Sequence, residues 1–449
     1  MATVIGSACS RNNPAYEDGT SAGGSASSTA ATSTTITTTE DTDPPVPTGT
    51  DSVGDGSQDS GAPELCGNGI VDEGEDCDNL DSVEDDECAA DCRARGEPQW
   101  FEVFEPVPGQ HLFNGSALAQ GDLIAVGHTP LPSTPLRDAV IVRYALEDGT
   151  QQSVTTLGEG FAPSEAYDVD VLDDRLYVVG EMTSGGWTAF AACFDVIDPV
   201  LPPVPCTSPV ELAGARATAV DAVDGSVLVA TSAFMVGGAG ISELDPRSEL
   251  VGAEWFDPSL PNTQTNLALV RTSSGAFVGG TAAIQASVSR VLLEQEMHVP
   301  WLTISGEGLP QGMVQALATA SDDVIAGGWL APDFLPTTPR RAFVGRYDPD
   351  AAMFWQRAVG MVGDDSEVED LAVDECGDII AVGMSGTPLI ATVWKLDGED
   401  GTTIWSRQYP ELASDESFLR SVEVEEDIFV VGEGREAGRR FGLVLRLAP

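Results

Sequence analysis

The sequence predicts an all-β protein whose main body is a seven-bladed β-propeller, and three observations carry the prediction. A short apolar run closing on small residues recurs seven times between residue 111 and the C-terminus. The recurrences fall about 50 residues apart, the period of a propeller blade. The intervening sequence reads as further short strands and tight turns.

The recurring runs are Leu123–Gly127, Leu176–Gly180, Val227–Thr231, Ala276–Gly280, Val324–Gly328, Ile379–Gly383 and Ile428–Gly432; their closing positions are separated by 53, 51, 49, 48, 55 and 49 residues. Each run is the second strand of a blade. An innermost strand precedes it, as in Ser116–Ala119 and Val368–Val373. A third follows, as in Val140–Tyr144, Ala342–Tyr347 and Ala391–Leu396. An acidic turn of the kind that suits tight hairpins, Asp348-Pro349-Asp350 or Asp397-Gly398-Glu399-Asp400-Gly401, then leads to an outermost strand carrying Trp355 or Trp405. The small closing residues are expected to let neighbouring sheets approach near the axis.

The last repeat stops after its third strand, Phe441–Leu447, and Gln99–Phe104 reads like the missing fourth. Pairing these segments closes the ring and removes an exposed sheet edge. The propeller therefore spans 98–449. Ahead of it, 64–97 is a small cysteine-rich module, 10–63 is a Ser/Thr/Gly/Asp-rich linker expected to be a disordered stalk, and 1–9 reads as a signal-peptide remnant. Small residues before Cys9 resemble a bacterial lipoprotein processing site, with Cys9 as the lipidated residue.

The stretch Cys66-Gly67-Asn68-Gly69, the acidic-Gly-Glu centre, the Cys77-Asp78 pair and the closing Cys88-x-x-x-Cys92 resemble the cysteine-rich repeat of exported myxobacterial proteins. The resemblance covers 64–96 and implies export, not an activity. Asp78-Asn79-Leu80-Asp81 departs from that family's usual turn. Cys66, Cys77, Cys88 and Cys92 are disulfide candidates, as are Cys193 and Cys206. Cys376 is left as a buried single thiol. No Cys-x-x-Cys or nearby His marks zinc. The carboxylates Asp72, Glu73, Glu75, Asp76, Asp78 and Asp81 would suit calcium, the one cofactor the composition suggests.

The formal net charge is −51, and Lys395 is the one lysine among 21 basic residues. Nucleic acid is a poor partner for so acidic a chain. An anionic membrane is too, so contact with one is expected only through the lipid anchor. His111, His128 and His298 form no metal motif, and no nucleophile elbow, P-loop or His-Glu-x-x-His occurs. The run Trp394–Trp405 resembles the docking repeats of quinone-dependent dehydrogenase propellers and, more broadly, WD-like repeats. Such repeats lock blades together by aromatic burial.

The expectation is therefore an exported, lipid-anchored surface protein, monomeric, whose propeller binds a protein or carbohydrate ligand without catalysis. It would sit on the outer membrane or cell surface, or be secreted. The Pro-rich segments His128–Arg137 and Trp329–Arg340 are the expected binding loops. A propeller enzyme, dehydrogenase-like or hydrolytic, and a purely structural surface protein are the alternatives.

Overall fold

The computed structural model describes residues 95–449 apart from several short stretches, all within the unit Cys66–Pro449. Residues 1–94 lie outside the described residues. With them go Cys9, Cys66, Cys77, Cys88, Cys92 and the calcium candidates Asp72, Glu73, Glu75, Asp76, Asp78 and Asp81.

The described strands form seven antiparallel sheets. Strand β1 (Pro98–Phe104) comes first. Blade one is β2 (Leu112–Ala119), β3 (Asp122–Pro130), β4 (Arg137–Ala145) and β5 (Gln151–Thr156). Blade two is β6 (Ser164–Leu172), β7 (Arg175–Thr183) and β8 (Trp187–Asp195), its outer position shared by β9 (Val204–Pro205) and β10 (Val210–Leu212). Blade three is β11 (Arg216–Val223), β12 (Ser226–Ser232), β13 (Gly240–Leu244) and β14 (Trp255–Phe256). Blade four is β15 (Thr265–Thr272), β16 (Gly275–Ala282), β17 (Gln285–Leu292) and β18 (Met297–Ile304). Blade five is β19 (Gln311–Ala320), β20 (Asp323–Ala331), β21 (Arg341–Tyr347) and β22 (Met353–Ala358). Blade six is β23 (Ser366–Val373), β24 (Ile379–Ser385), β25 (Ile390–Leu396) and β26 (Thr403–Gln408). Blade seven is β27 (Glu416–Val424), β28 (Ile428–Glu436) and β29 (Arg439–Leu447), completed by β1. β1 pairs antiparallel with β29, from Phe101 opposite Leu445 to Phe104 opposite Gly442, so the ring closes as its sequence implies.

The core lies between blades, not within them. Ile124, Ile141, Val178 and Phe190 join blades one and two; Val229 and Cys193 belong to the cluster of blades two and three. Further clusters join each successive pair. The seventh, with Phe104, Phe113, Val142, Phe429 and Val444, joins blade seven to blade one. A central strand is thus covered on both faces. That is why Leu123, Ile124, Ala125 and Val126 form a continuous apolar run, not an alternating one, and are all fully buried.

Polar fasteners repeat with the blades. The Trp355 indole N–H donates to the Gly398 carbonyl at 3.3 Å, Trp301 to Pro349 at 3.0 Å, and Trp100 to Leu146 at 3.1 Å. Each reaches from one blade's outer strand to the turn that follows the next blade's third strand, which gives the Trp-and-turn pattern its locking role. Third-strand basic residues pair with an acid of their own blade's first hairpin: Arg143 with Asp122 at 2.5 Å, Arg346 with Asp323 at 2.7 Å and Lys395 with Asp374 at 3.0 Å.

Cys193 on β8 and Cys206 just after β9 form a disulfide. Cys376 is not a buried thiol. It is exposed in the tight Asp374–Gly377 turn of blade six and is disulfide-bonded. Its partner lies outside the described residues. The turn joins β23 to β24 and has no interior in which to hide a side chain.

Candidate functional site

Every innermost strand carries one β-bulge at the same place. The pairing with the second strand slips at Asn114, Tyr167, Thr218, Leu267, Gln315, Glu369 and Arg420. A bulge re-aims its extra side chain, and these seven residues line one central cavity of about 130 Å³. They form a ring around the channel axis.

The recurring glycines belong to this device. A Cβ on Gly127 would sit 2.0 Å from the Leu112 carbonyl, and one on Gly180 would sit 2.0 Å from the Glu165 carbonyl. The obstacle is the bulged strand of the same sheet. The closing glycine therefore accommodates the bulge within its own blade, while the glycine before it lets the next sheet approach, as expected: a Cβ on Gly279 would meet Val314 of blade five at 2.6 Å and one on Gly327 would meet Val368 of blade six at 2.8 Å.

Blades one to three carry a wider opening at the same end of the channel. A cavity of about 400 Å³ is lined by Leu136, Arg137, Pro163, Ser164, Glu165, Glu181, Thr183, Trp187 and Arg216. Arg137 Nη1 donates to Glu165 Oε2 at 2.8 Å. Arg216 Nε donates to Glu181 Oε2 at 2.6 Å. Arg216 also lies over the Tyr167 ring, 5.0 Å from its centroid, and the Tyr167 hydroxyl donates to Glu181. Asn114 Nδ2 donates to the Ala166 carbonyl at 2.8 Å. Asn114 and Tyr167 thus connect the cleft to the bulge ring.

The electrostatics of the cleft are fixed by these pairings. Burial alone would push the Glu165 carboxyl up. The adjacent His128, whose Nδ1 is 3.0 Å from Oε1, and the Arg137 guanidinium reverse this and bring it down to about 2. Burial, followed by the charges of Glu165 and Glu181, pushes the Tyr167 phenol well above its usual range. Glu165 is therefore ionised and Tyr167 protonated near neutral pH.

A related arrangement recurs at blades five to seven. Arg340 pairs with Asp365 at 3.1 Å and with Glu367. Gln315 Nε2 donates to Glu369 at 3.0 Å, and Arg420 Nη1 donates to the other oxygen of that carboxylate at 2.7 Å. Arg340 occupies the place in blade five that Arg137 occupies in blade one.

Deeper in the channel, blade two carries Asp168 and Asp170 and blade six carries Asp370. Their oxygens take backbone N–H groups of the neighbouring blades, Val220 at 2.9 Å, Ala222 at 2.6 Å and Val422 at 2.9 Å. Burial raises Asp170 and Asp370 to about 6 against these hydrogen bonds. The described residues contain no His/Cys/Asp/Glu group arranged to hold a metal ion.

The expected binding segments are placed in part. Leu136 and Arg137 do line the cleft, but His128 lies on β3 and Trp329 on β20, both buried in strands and not in loops. Periodic apolar residues on either side carry these strands further than the Gly-ended run suggests. His111 is buried, with Nδ1 3.1 Å from the Thr129 hydroxyl. His298 falls on β18, its side chain outside the described residues. The bulge ring escaped the sequence reading. Its signal was present: counting from the closing small residue, the bulge lies 13 residues earlier in blades one to five, 14 in blade six and 12 in blade seven.

Fold and cleft together define a seven-bladed propeller with a composite cleft at the end where second strands finish. The sequence matches no protein-family model and no curated protein. Among solved structures the chain is similar to Sqt1 from Chaetomium thermophilum, at 9% identity over 79% of this chain and 100% of that one, with a TM-score of 0.44. The propeller assignment rests on the seven sheets and their closure.

Proposed function

We propose that this chain is an exported binding protein, held at the cell surface through a lipid on Cys9, whose propeller takes a ligand in the cleft of blades one to three. The observation that carries the binding reading is that cleft: it combines an exposed indole with two Arg–Glu pairs. Its volume of about 400 Å³ falls in the range of small-molecule sites. Another opening of similar size, about 410 Å³, lies on the rim, where Arg439 sits 3.6 Å from Glu105 and 3.4 Å from Glu436, but no indole lines it.

Binding without catalysis is favoured by the protonation states. A carboxyl held near 2 has no proton to give as a general acid at neutral pH, and each cleft carboxylate is already engaged by a guanidinium. Export is favoured by the Cys193–Cys206 disulfide and by the disulfide at Cys376, since such bonds persist in oxidising compartments.

Intact mass and fractionation of the protein from its own host test the location. An acylated Cys9 in the membrane fraction, with the preceding residues removed, is expected. An unmodified soluble chain with Cys193 and Cys206 reduced would overturn it.

A further inference from the structure

We infer that the cleft of blades one to three takes an uncharged saccharide; the inference rests on reading that cleft as the ligand site. Three features of its lining select this chemistry.

The first is charge. Arg137 and Arg216 are matched by Glu165 and Glu181, so the lining is neutral in a protein of net charge −51. A phosphate or polyanion finds no excess of positive charge there, and a cationic peptide finds both carboxylates already paired. Neither sign of ligand gains from the site, whereas a neutral ligand avoids desolvating an unmatched charge.

The second is the arrangement of donors and acceptors. Each carboxylate lies 2.8 Å or 2.6 Å from its guanidinium nitrogen, so acceptor and donor edges stand side by side. A sugar hydroxyl both donates and accepts, and two neighbouring hydroxyls match such an edge pair. Arg137 is 46% exposed and uses Nη1 on Glu165, which leaves guanidinium N–H groups facing the opening. Charge-assisted bonds of this kind are stronger than neutral ones.

The third is the indole. Trp329, Trp355 and Trp394 are at most 7% exposed, whereas Trp187 is 59% exposed at the lip of the cleft. An indole presents a flat apolar face with one polar edge. A pyranose offers a matching C–H face, with its hydroxyls directed outward to the Arg–Glu edges. A peptide or nucleobase would use the indole, but not two neutralised ion pairs beside it.

The test is an array of neutral oligosaccharides (β-1,4-glucan, α-1,4-glucan, xylan and chitin fragments) beside polygalacturonate and a peptide array. It uses the full disulfide-bonded chain and the variants Trp187→Ala and Arg137→Ala. Both residues are exposed, so unchanged thermal unfolding checks that the variants fold. The expected result is capture of a neutral oligosaccharide, little changed by salt, with each variant weakening it by roughly tenfold or more. Capture of polygalacturonate alone overturns the saccharide assignment, as does sugar binding indifferent to both variants. Peptide binding lost in Trp187→Ala, with no sugar bound, overturns the saccharide while leaving the cleft as the ligand site. No Trp187-dependent binding on either array overturns both.

Discussion

Asp370 of blade six fastens Val422 of blade seven: its Oδ2 accepts the Val422 N–H at 2.9 Å and the Ser421 hydroxyl at 3.0 Å. Its other oxygen accepts the Leu371 N–H at 2.8 Å. Innermost strands are sheet edges along the channel, so their outward N–H groups need partners from elsewhere. Asp370→Asn would put an amide donor against a backbone donor. A loss of about 1–3 kcal/mol in denaturant unfolding is expected, with Asp168→Asn behaving alike at Val220. A cost near zero would show that channel water serves these groups equally well.

The same carboxyls set a pH dependence. Burial raises Asp170 and Asp370 from 3.8 to about 6 in the folded protein. Such a group binds more protons folded than unfolded. Its contribution is complete below about pH 4 and is lost as pH rises through about 6. Glu165 runs oppositely: its contribution is present above its unfolded value and is lost as pH falls towards 2. Melting temperature should therefore be highest at about pH 4–5, fall as pH rises through about 6, and change little from these groups above about pH 7. High salt screens surface repulsion, so a decline that persists in high salt identifies the buried groups. A stability maximum at pH 8 would contradict the account.

The Trp-and-turn fastener is tested at Gly401. Its φ is +71°, and a Cβ there would meet Trp355 at 2.5 Å. Gly438 has φ +79° with nothing within 4 Å. Gly438→Ala carries backbone strain only, about 1 kcal/mol. Gly401→Ala adds displacement of the ring and should cost about 1–3 kcal/mol more. Equal costs would show that the contact with Trp355 contributes nothing.

Two disulfide predictions follow from the cysteines. Cys193→Ser with Cys206→Ser should lower stability by about 2–3 kcal/mol, as for a short closed loop. A peptide map under non-reducing conditions should find Cys376 joined to a cysteine N-terminal to residue 95. A free Cys376 thiol would contradict this.

Blade number, strand order and the closure of β1 on β29 were legible in the sequence because each second strand is buried on both faces and ends on a small residue. The bulge ring was not. Asn114, Tyr167, Thr218, Leu267, Gln315, Glu369 and Arg420 share a backbone position but no chemistry, so no residue type repeats. The cleft was half legible. The Pro-rich segment ending at Arg137 pointed to it, but Glu181, Trp187 and Arg216 come from other strands. Only the ring geometry brings them together. Cys376 was misread because a single Cys in an apolar repeat resembles a core residue, whereas its turn lies at the surface.

The most direct test of the central claim is a crystal structure of the protein grown with the tightest binder from the arrays. The account predicts the occupant against Trp187, within hydrogen-bond distance of Arg137 and Glu165. An occupant in the rim groove beside Glu105 and Arg439, with the cleft unfilled, would contradict it.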